Sequence, residues 1–184
     1  NILIKSKNTK VTYNKNEIIS ASYVIPEDLE ELDENAPIIL KGSFTGNRKI
    51  DEDTNIVGPS TISEFKVDKV YKGSIENDII SVLEPFEIKD NNFTNIEGYI
   101  PMEENKEYIL FLRENDISEG KQYTIKFISF GKYNTSKEDN IVNQKSSIKY
   151  LEEVKESEFI SESQEICDTY INIKGEVLDK YLYK

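Results

Sequence analysis

The stretch TISEFKVDKVYKG, residues 61–73, constrains the fold of this chain more than any other part of the sequence. Phe65 and Val67 alternate with polar residues, which is the period of a half-buried strand. The next apolar residue is Val70, so the alternation slips by one residue at Asp68–Lys69. Such a slip indicates a β-bulge, and a bulged strand bends enough to line two sides of a small barrel. We therefore expect a long, bent strand in a closed antiparallel sheet.

Further apolar runs supply the other strands of this sheet. Residues 37–44 predict a strand, and residues 78–82 predict the hairpin partner of the bent strand. The continuous run Tyr108–Leu112 predicts a strand covered on both faces, by the barrel core on one side and by a helix on the other. Residues 122–133 predict a strand with a second bulge near Phe130. Residues 89–98 predict a long polar loop, and residues 141–148 predict a weak edge strand.

Two helices are predicted at the flanks of the barrel. A short helix over 26–35 places Leu29, Leu32 and Ala36 on one face. A longer one over 161–182 opens on the capping-box pattern Ser161–Gln164 and carries an apolar stripe that we expect to pack on the outer face of the barrel. The predicted organisation is a basic flexible leader (1–16), an OB-like β-barrel containing the first helix (17–149) and a C-terminal helical segment (150–184).

Composition excludes several classes of function. The net charge of −12 argues against nucleic acid as a partner, because binding to phosphates needs basic residues. The chain has no histidine, which removes the commonest general base and metal ligand. Its single cysteine, Cys167, cannot form an internal disulfide, and its place on the apolar stripe favours a small core side chain over a reactive thiol.

Two polar segments begin with the spacing of a calcium-binding loop: Asp51, Asp53 and Asn55, and Asp90, Asn92 and Thr94. An EF-hand requires glycine at the sixth position of the loop and glutamate at the twelfth, and both segments have other residues at these positions. The sequence therefore predicts no metal and no cofactor, although a weak, irregular calcium site stays open.

The first 16 residues carry Lys5, Lys7, Lys10 and Lys15 and no acidic residue. They fit either a solvated tail or a spacer close to an anionic membrane. The only methionine is Met102, so we expect an N-terminus that has been processed, as in a secreted protein, or artificially trimmed. These features predict an extracytoplasmic location, secreted or tethered to the cell surface.

Two sets of residues are candidate contacts for a ligand or partner. Tyr99, Tyr123 and Tyr133 are candidates for stacking on a peptide or a glycan, against the alternative of core packing. Six acids near the first helix form a candidate surface for a basic partner, against the alternative of a solvated helix face: Glu27, Asp28, Glu30, Glu31, Asp33 and Glu34.

The segments LEELDENAPIILKG, FKVDKVYKG, DIISVLE, GYIPMEENKEYILFL and YTIKFISFGKY, in this order, resemble the netrin-like or TIMP-like variant of the OB-fold barrel. They are similar to small exported or lipid-anchored proteins of Gram-positive bacteria without an assigned function. The resemblance covers about residues 25–135 and implies a fold rather than an activity. TIMP-type inhibition uses an N-terminal cysteine, whereas this chain begins with Asn1, so metalloprotease inhibition is not carried over.

The resulting expectation is a non-catalytic, extracytoplasmic binding module for a protein, peptide or glycan, with its oligomeric state open. One alternative is a hydrolase that uses a pair of carboxylates, since the chain has 35 acidic residues. Another is a purely structural domain of a surface protein.

Overall fold

The computed structural model describes residues 10–13, 24–51, 58–90, 92–117, 120–138, 141–143 and 151–184. The helices are α1 (Leu29–Asn35) and α2 (Gln164–Tyr181). The strands, in chain order, are β1 (Lys10–Tyr13), β2 (Ile38–Ile50), β3 (Thr61–Lys72), β4 (Ile79–Glu84), β5 (Phe86–Lys89), β6 (Asn92–Asn95), β7 (Glu107–Ile117), β8 (Gly120–Ile125), β9 (Lys132–Asn134), β10 (Ile141–Asn143) and β11 (Phe159–Ser161).

Five of these strands close into a barrel in the order β2-β3-β4-β8-β7, and β7 returns to pair with β2. The fold is thus mainly β and OB-like, as predicted. The seam between β4 and β8 is parallel, in contrast to the expected antiparallel barrel. An odd number of strands in a closed ring cannot alternate direction at every seam, so one pair has to run parallel.

The bent strand of the sequence prediction is β3. Its pairing with β2 passes from Lys41↔Lys69 to Gly42↔Val67, which leaves Asp68 as the extra residue. The predicted bulge at Asp68–Lys69 is therefore confirmed. A second shift lies between Ile39 and Leu40 of β2, so the β2–β3 ladder bends repeatedly as it wraps around the barrel.

Strand β7 separates two hydrophobic clusters, which confirms the prediction of cover on both faces. Tyr108, Leu110 and Leu112 point into the barrel core. Ile109 and Phe111 point outward into a cluster that also contains side chains of α1 and α2. The continuous apolar run follows from this position, because alternate residues of one strand supply two cores.

Both helices form, with start points that differ from the prediction. Helix α1 begins at Leu29 because the side chain of Asp28 accepts a hydrogen bond from the Glu31 amide and caps the helix. Helix α2 begins at Gln164 because the cap is Ser163, whose side chain accepts from the Ile166 amide, and not Ser161. Ser161 instead ends β11. The stripe of α2 packs on the outer face of the barrel, as expected.

The predicted polar loop at 89–98 is wrong, because this segment contains half of a hairpin. Strands β5 and β6 pair antiparallel from Phe86↔Asn95 to Lys89↔Asn92, and Asp90 enters the turn with a φ of 49°. Phe86 and Phe93 are buried and their ring centroids lie 5.7 Å apart. Strand β1 adds to β6 in parallel, so residues 10–13 of the expected flexible leader lie in a sheet.

The predicted continuous strand over 122–133 is also wrong. Strand β8 ends at Ile125, Phe127 and Ile128 adopt left-handed φ values of 56° and 55°, and a 3-10 turn over Ile128–Gly131 leads into β9. A Cβ atom on Gly131 would lie 2.0 Å from the Lys126 carbonyl oxygen, so the turn needs glycine at that position.

Of the predicted edge strand, β10 covers 141–143 and pairs in parallel with β11. Its remainder, the rest of the leader and positions 53 and 55 of the first calcium-like segment lie outside the described residues.

Candidate functional site

The three candidate tyrosines are all buried in the structure. Tyr99 is fully buried, and its hydroxyl donates to Glu84 Oε2 at 2.7 Å. Tyr133 is also fully buried and stacks on Tyr170 with ring centroids 4.9 Å apart. Tyr123 lies on the barrel face of β8. The structure does not bring the three rings together on a surface; it gives each a packing role, and their contact with a ligand stays a prediction.

A buried ion pair joins β2 to β4 inside the barrel. Arg48 Nη2 lies 2.9 Å from Glu84 Oε1, and the two side chains are 5% and 0% exposed. The carboxylate also accepts hydrogen bonds from the Ser63 hydroxyl, the Tyr99 hydroxyl and the Met102 amide. Every oxygen of the carboxylate is therefore occupied by donors of the protein itself.

The pKa of the Glu84 carboxyl reflects this environment. Burial by itself raises the pKa, but the charges of Arg48 and Lys132 and the hydrogen bonds from Ser63 and Met102 outweigh burial, so the pKa lies below its ordinary value. Burial and the adjacent Glu84 raise the pKa of Tyr99 well above its ordinary value. Glu84 is thus an anion at neutral pH, and its partners are already in place.

A second buried cation, Lys132 of β9, lies next to this network without a carboxylate in contact. Its amine donates to the Ile100 carbonyl oxygen and lies 4.3 Å from the centroid of the Tyr99 ring. Burial lowers the pKa of Lys132 to about 8, although Glu84 and Glu158 act in the opposite direction.

We predict that the free energy of unfolding rises between about pH 8 and 9.5 because of Lys132. The folded pKa of about 8 lies below the ordinary value of 10.5, so the unfolded state binds more protons in this range. The rise should be about 1–2 kcal/mol and should be absent in Lys132→Met. Urea unfolding of both proteins at several pH values measures this rise.

Burial raises the pKa of Cys167, so this thiol lowers the free energy of unfolding as the pH rises. Its contribution is common to both proteins and cancels in their difference. Parallel curves for the two proteins would contradict the prediction.

A second buried ion pair fixes α2 to β9 and to the residue before β11. Lys174 Nζ lies 2.7 Å from Glu158 Oε2, with side chains 2% and 1% exposed. Glu158 Oε1 accepts from the Asn134 amide at 2.8 Å and from the Tyr170 hydroxyl at 3.1 Å. This pair and the Arg48–Glu84 pair are sealed from solvent, so they orient elements of the fold and offer no group to a substrate.

The α1 acidic surface consists of Glu27, Asp28, Glu30, Glu31, Asp33 and Glu34, and about half of it has structural contacts. Asp28 caps the helix, Glu31 accepts from the Glu27 amide, and Asp33 pairs with Lys180 and Tyr181 of α2. The side chains of Glu27, Glu30 and Glu34 are exposed. The role of this surface in binding a basic partner stays a prediction.

A concave surface with the size of a ligand site lies on the outer face of β4, β8 and β7. It encloses about 470 Å³, which is within the range of small-molecule and peptide sites. We call it the outer groove. Its apolar lining consists of Pro59, Leu83, Pro85, Ile96, Ile117, Ile125 and Ile128, and its polar lining of Ser60, Glu84, Arg113, Asn115, Asp116, Gln122 and Thr124.

The strand register explains why Leu83, Arg113, Asn115, Gln122 and Thr124 share one face. Arg113 lies opposite Thr124, Asn115 lies opposite Gln122, and Leu83 of β4 lies opposite Thr124 from the other side. Side chains alternate along a strand, so Gln122 and Thr124 face the groove while Tyr123 between them faces the core. Asn115 donates to the Thr124 hydroxyl across the β7–β8 ladder.

Arg113 is the exposed cation of the outer groove. It is one of two arginines in the chain, and the other, Arg48, is buried. No carboxylate of the described residues lies within ion-pair distance of Arg113, although the chain has 35 acidic residues. A guanidinium in this position presents several donors to an acceptor that enters the groove.

Ile128, with its left-handed backbone, lines the same groove. A β-branched residue is rarely found at positive φ, and such strained positions concentrate at functional sites. Within the described residues, no three or more metal-ligating side chains lie together, and no helix is both long and apolar enough to cross a membrane.

Sequence reasoning missed the outer groove because its polar residues are the solvent-side members of ordinary strand alternation. The signal that was present is the pattern Gln122-Tyr123-Thr124, in which the tyrosine marks the core face and its neighbours mark the outer face. A scan of the chain against protein-family models found no match, and a search of the curated proteins found no similar sequence.

Proposed function

We propose that this chain is a non-catalytic binding module that acts outside the cytoplasm, and that its ligand occupies the outer groove. The observation that carries the proposal is the groove itself, a concavity of about 470 Å³ with mixed apolar and polar walls on the face of the barrel. The position of the groove on the barrel adds support by analogy with other proteins of this fold. OB-fold barrels bind ligands across a strand face, between the loop joining barrel strands 1 and 2 and the loop joining strands 4 and 5.

Described residues at the ends of the corresponding loops border the outer groove. In chain order the barrel strands are β2, β3, β4, β7 and β8, so the first loop precedes β3 and the second separates β7 from β8. Pro59 and Ser60 are the last residues of the first loop, and Ile117 is the last residue before the second. The ligand face of this fold is formed by its second and third strands, here β3 and β4. The groove shares β4 with that face and extends from it across β8 and β7.

A binding role also agrees with the acidic groups near the groove. The carboxylate of Glu84 is occupied by Arg48, Ser63, Tyr99 and Met102, which leaves it no free position for proton transfer to a substrate. A hydrolase with two carboxylates needs both groups to face the scissile bond. No contact of Glu84 favours that alternative.

We further propose that the chain belongs with the small exported, and in part lipid-anchored, netrin-like or TIMP-like barrels of Gram-positive bacteria, tethered through its basic leader. The lysine-rich first 16 residues and the acidic character of the rest support this location. Fractionation of cells that express the full-length gene tests it, since recovery of the protein wholly in the cytosol would contradict an exported role.

The binding role predicts that filling the outer groove abolishes ligand binding without unfolding the protein. Ser60→Trp places a large ring at the groove from the end of a loop, whereas Ser74→Trp adds the same ring to the exposed turn after β3 and serves as the control. The isotope-labelled chain is titrated with capped peptides and with oligosaccharides, and backbone NMR shifts are recorded. We expect shifts at residues 83, 113–117 and 122–125 that Ser60→Trp removes and Ser74→Trp retains. Shifts confined to other surfaces, or none with either class, would refute the proposal.

A further inference from the structure

We infer that the outer groove binds an extended peptide segment that carries an acidic side chain between aliphatic ones, and that Arg113 holds the carboxylate. The inference rests on the proposed function and adds the chemistry of its ligand. Three features of the groove lead to it: the composition of its walls, the charge of Arg113 and the position of Arg113 between two apolar regions.

The walls favour a peptide over a glycan. None of the described residues that line the groove is aromatic, whereas sugar rings and nucleobases are held mainly by stacking on aromatic side chains. Its apolar lining is built from isoleucine, leucine and proline. Aliphatic surface of this kind is buried favourably by aliphatic side chains of a ligand, at about 25 cal/mol per Å² of apolar area.

The charge of the groove favours an anionic group. Arg113 has no carboxylate partner among the described residues in a chain of net charge −12. Its neighbours across and along the ladder, Asn115, Gln122 and Thr124, are amides and a hydroxyl. A guanidinium binds a carboxylate through two parallel hydrogen bonds, and side-chain amides add donors to the same group. Asp116 also lines the groove, and its charge disfavours a ligand with several acidic groups.

The position of Arg113 indicates an internal acidic residue rather than a chain end. Ile117 lies four residues farther along β7, which is about 14 Å in a strand. Strand β8 runs antiparallel to β7, so Ile128, which lines the groove beyond the end of β8, lies on the side of Arg113 away from Ile117. Apolar contacts therefore extend in both directions from the guanidinium. A segment that fills the groove continues past Arg113 on both sides, so the carboxylate belongs to a side chain.

The test uses three capped nine-residue peptides with the pattern Leu-Ser-Leu-Ser-X-Ser-Leu-Ser-Leu, where X is Glu, Gln or Lys. In an extended conformation X and the leucines face the same side, which matches the alternation of the groove. Each peptide is titrated into the full chain, into Arg113→Gln, into Arg113→Glu and into Lys66→Gln. Lys66 is an exposed cation of β3 that does not line the groove, so its variant is the matched control for charge.

We expect the Glu peptide to bind about fivefold more tightly than the Gln peptide, with the Lys peptide weakest. Arg113→Gln should remove this preference and Arg113→Glu should reverse it in favour of the Lys peptide, while Lys66→Gln leaves it unchanged. The reversal is a readout that a merely structural role of Arg113 would not produce.

Other outcomes separate the inference from the proposed function. Equal binding of the Glu and Gln peptides at the groove residues overturns the role of Arg113 and leaves the groove as a binding site. Groove shifts caused only by oligosaccharides overturn the peptide ligand and retain the binding module. Absence of groove shifts with peptides and oligosaccharides alike overturns both.

Discussion

Glu84→Gln should lower the free energy of unfolding by about 3–5 kcal/mol, although it changes the shape of the side chain very little. Glu84 is 0% exposed, and its carboxylate is the partner of the buried Arg48 guanidinium. The substitution leaves that cation in the barrel core without a counter-charge. It also replaces one carboxylate oxygen by an amide NH2 that faces the donors of Ser63, Tyr99 or Met102. Urea unfolding at neutral pH measures the change.

Two further variants show whether the loss comes from the uncompensated charge. Arg48→Met combined with Glu84→Gln removes the cation as well, so the double variant should recover about 1–3 kcal/mol relative to the sum of the single changes. Glu107→Gln, which breaks the partly exposed Lys41–Glu107 pair at 3.2 Å, should cost less than about 1 kcal/mol. Additive losses in the double variant would mean that Arg48 and Glu84 are not coupled.

The pH dependence of this contribution has a defined sign. The pKa of Glu84 is lowered in the folded protein, so the contribution is present above the ordinary pKa of a carboxyl and is lost as the pH falls through the folded value. Glu84→Gln should therefore flatten the acid side of the stability curve.

The parts of the fold that could be predicted from the sequence are those encoded by local periodicity. The slip between Val67 and Val70 located the bulge of β3, and the run Tyr108–Leu112 located a strand with two cores. The stripe of α2 identified its buried face. In each case the residues that decide the structure are neighbours in sequence, so a pattern of period 2 or 3.6 is sufficient.

The missed elements depend on backbone conformations that the residue types do not indicate. Phe127 and Ile128 are left-handed without being glycine or asparagine, and this turn ends β8 early. The β5–β6 hairpin has only Phe86, Ile88 and Phe93 as apolar markers among polar residues. Tertiary packing of those aromatic rings, which sequence spacing does not reveal, selects the hairpin over a loop.

The buried charges were missed for a related reason. Arg48 and Glu84 are 36 residues apart, and Glu158 and Lys174 are 16 apart, so neither pair forms a local motif. Lys174 even occupies a buried position of the α2 stripe, where charged residues are normally excluded. The outer groove likewise combines residues from three strands and from four connecting segments. Its members are brought together only by the closure of the barrel.

Leu110→Ala should lower the free energy of unfolding by about 2–5 kcal/mol. Leu110 is fully buried at the centre of β7, opposite Leu40 of β2 and Lys132 of β9. The substitution deletes buried methyl groups and leaves a cavity that surrounding strands fill only in part, because β7 is held by hydrogen bonds to β2, β8 and β9. Denaturant unfolding followed by circular dichroism measures the loss.

Ile50→Ala is the matched control, because Ile50 ends the neighbouring strand β2 and is 61% exposed. Its cost should stay within about 0.5 kcal/mol. A midpoint for Leu110→Ala equal to that of the parent would show that the barrel core does not depend on β7. That result would conflict with the position of β7, whose two faces supply both hydrophobic clusters. A large loss for Leu110→Ala together with a small one for Ile50→Ala would instead establish that the buried interior of the barrel, and not the exposed end of β2, carries this part of the stability.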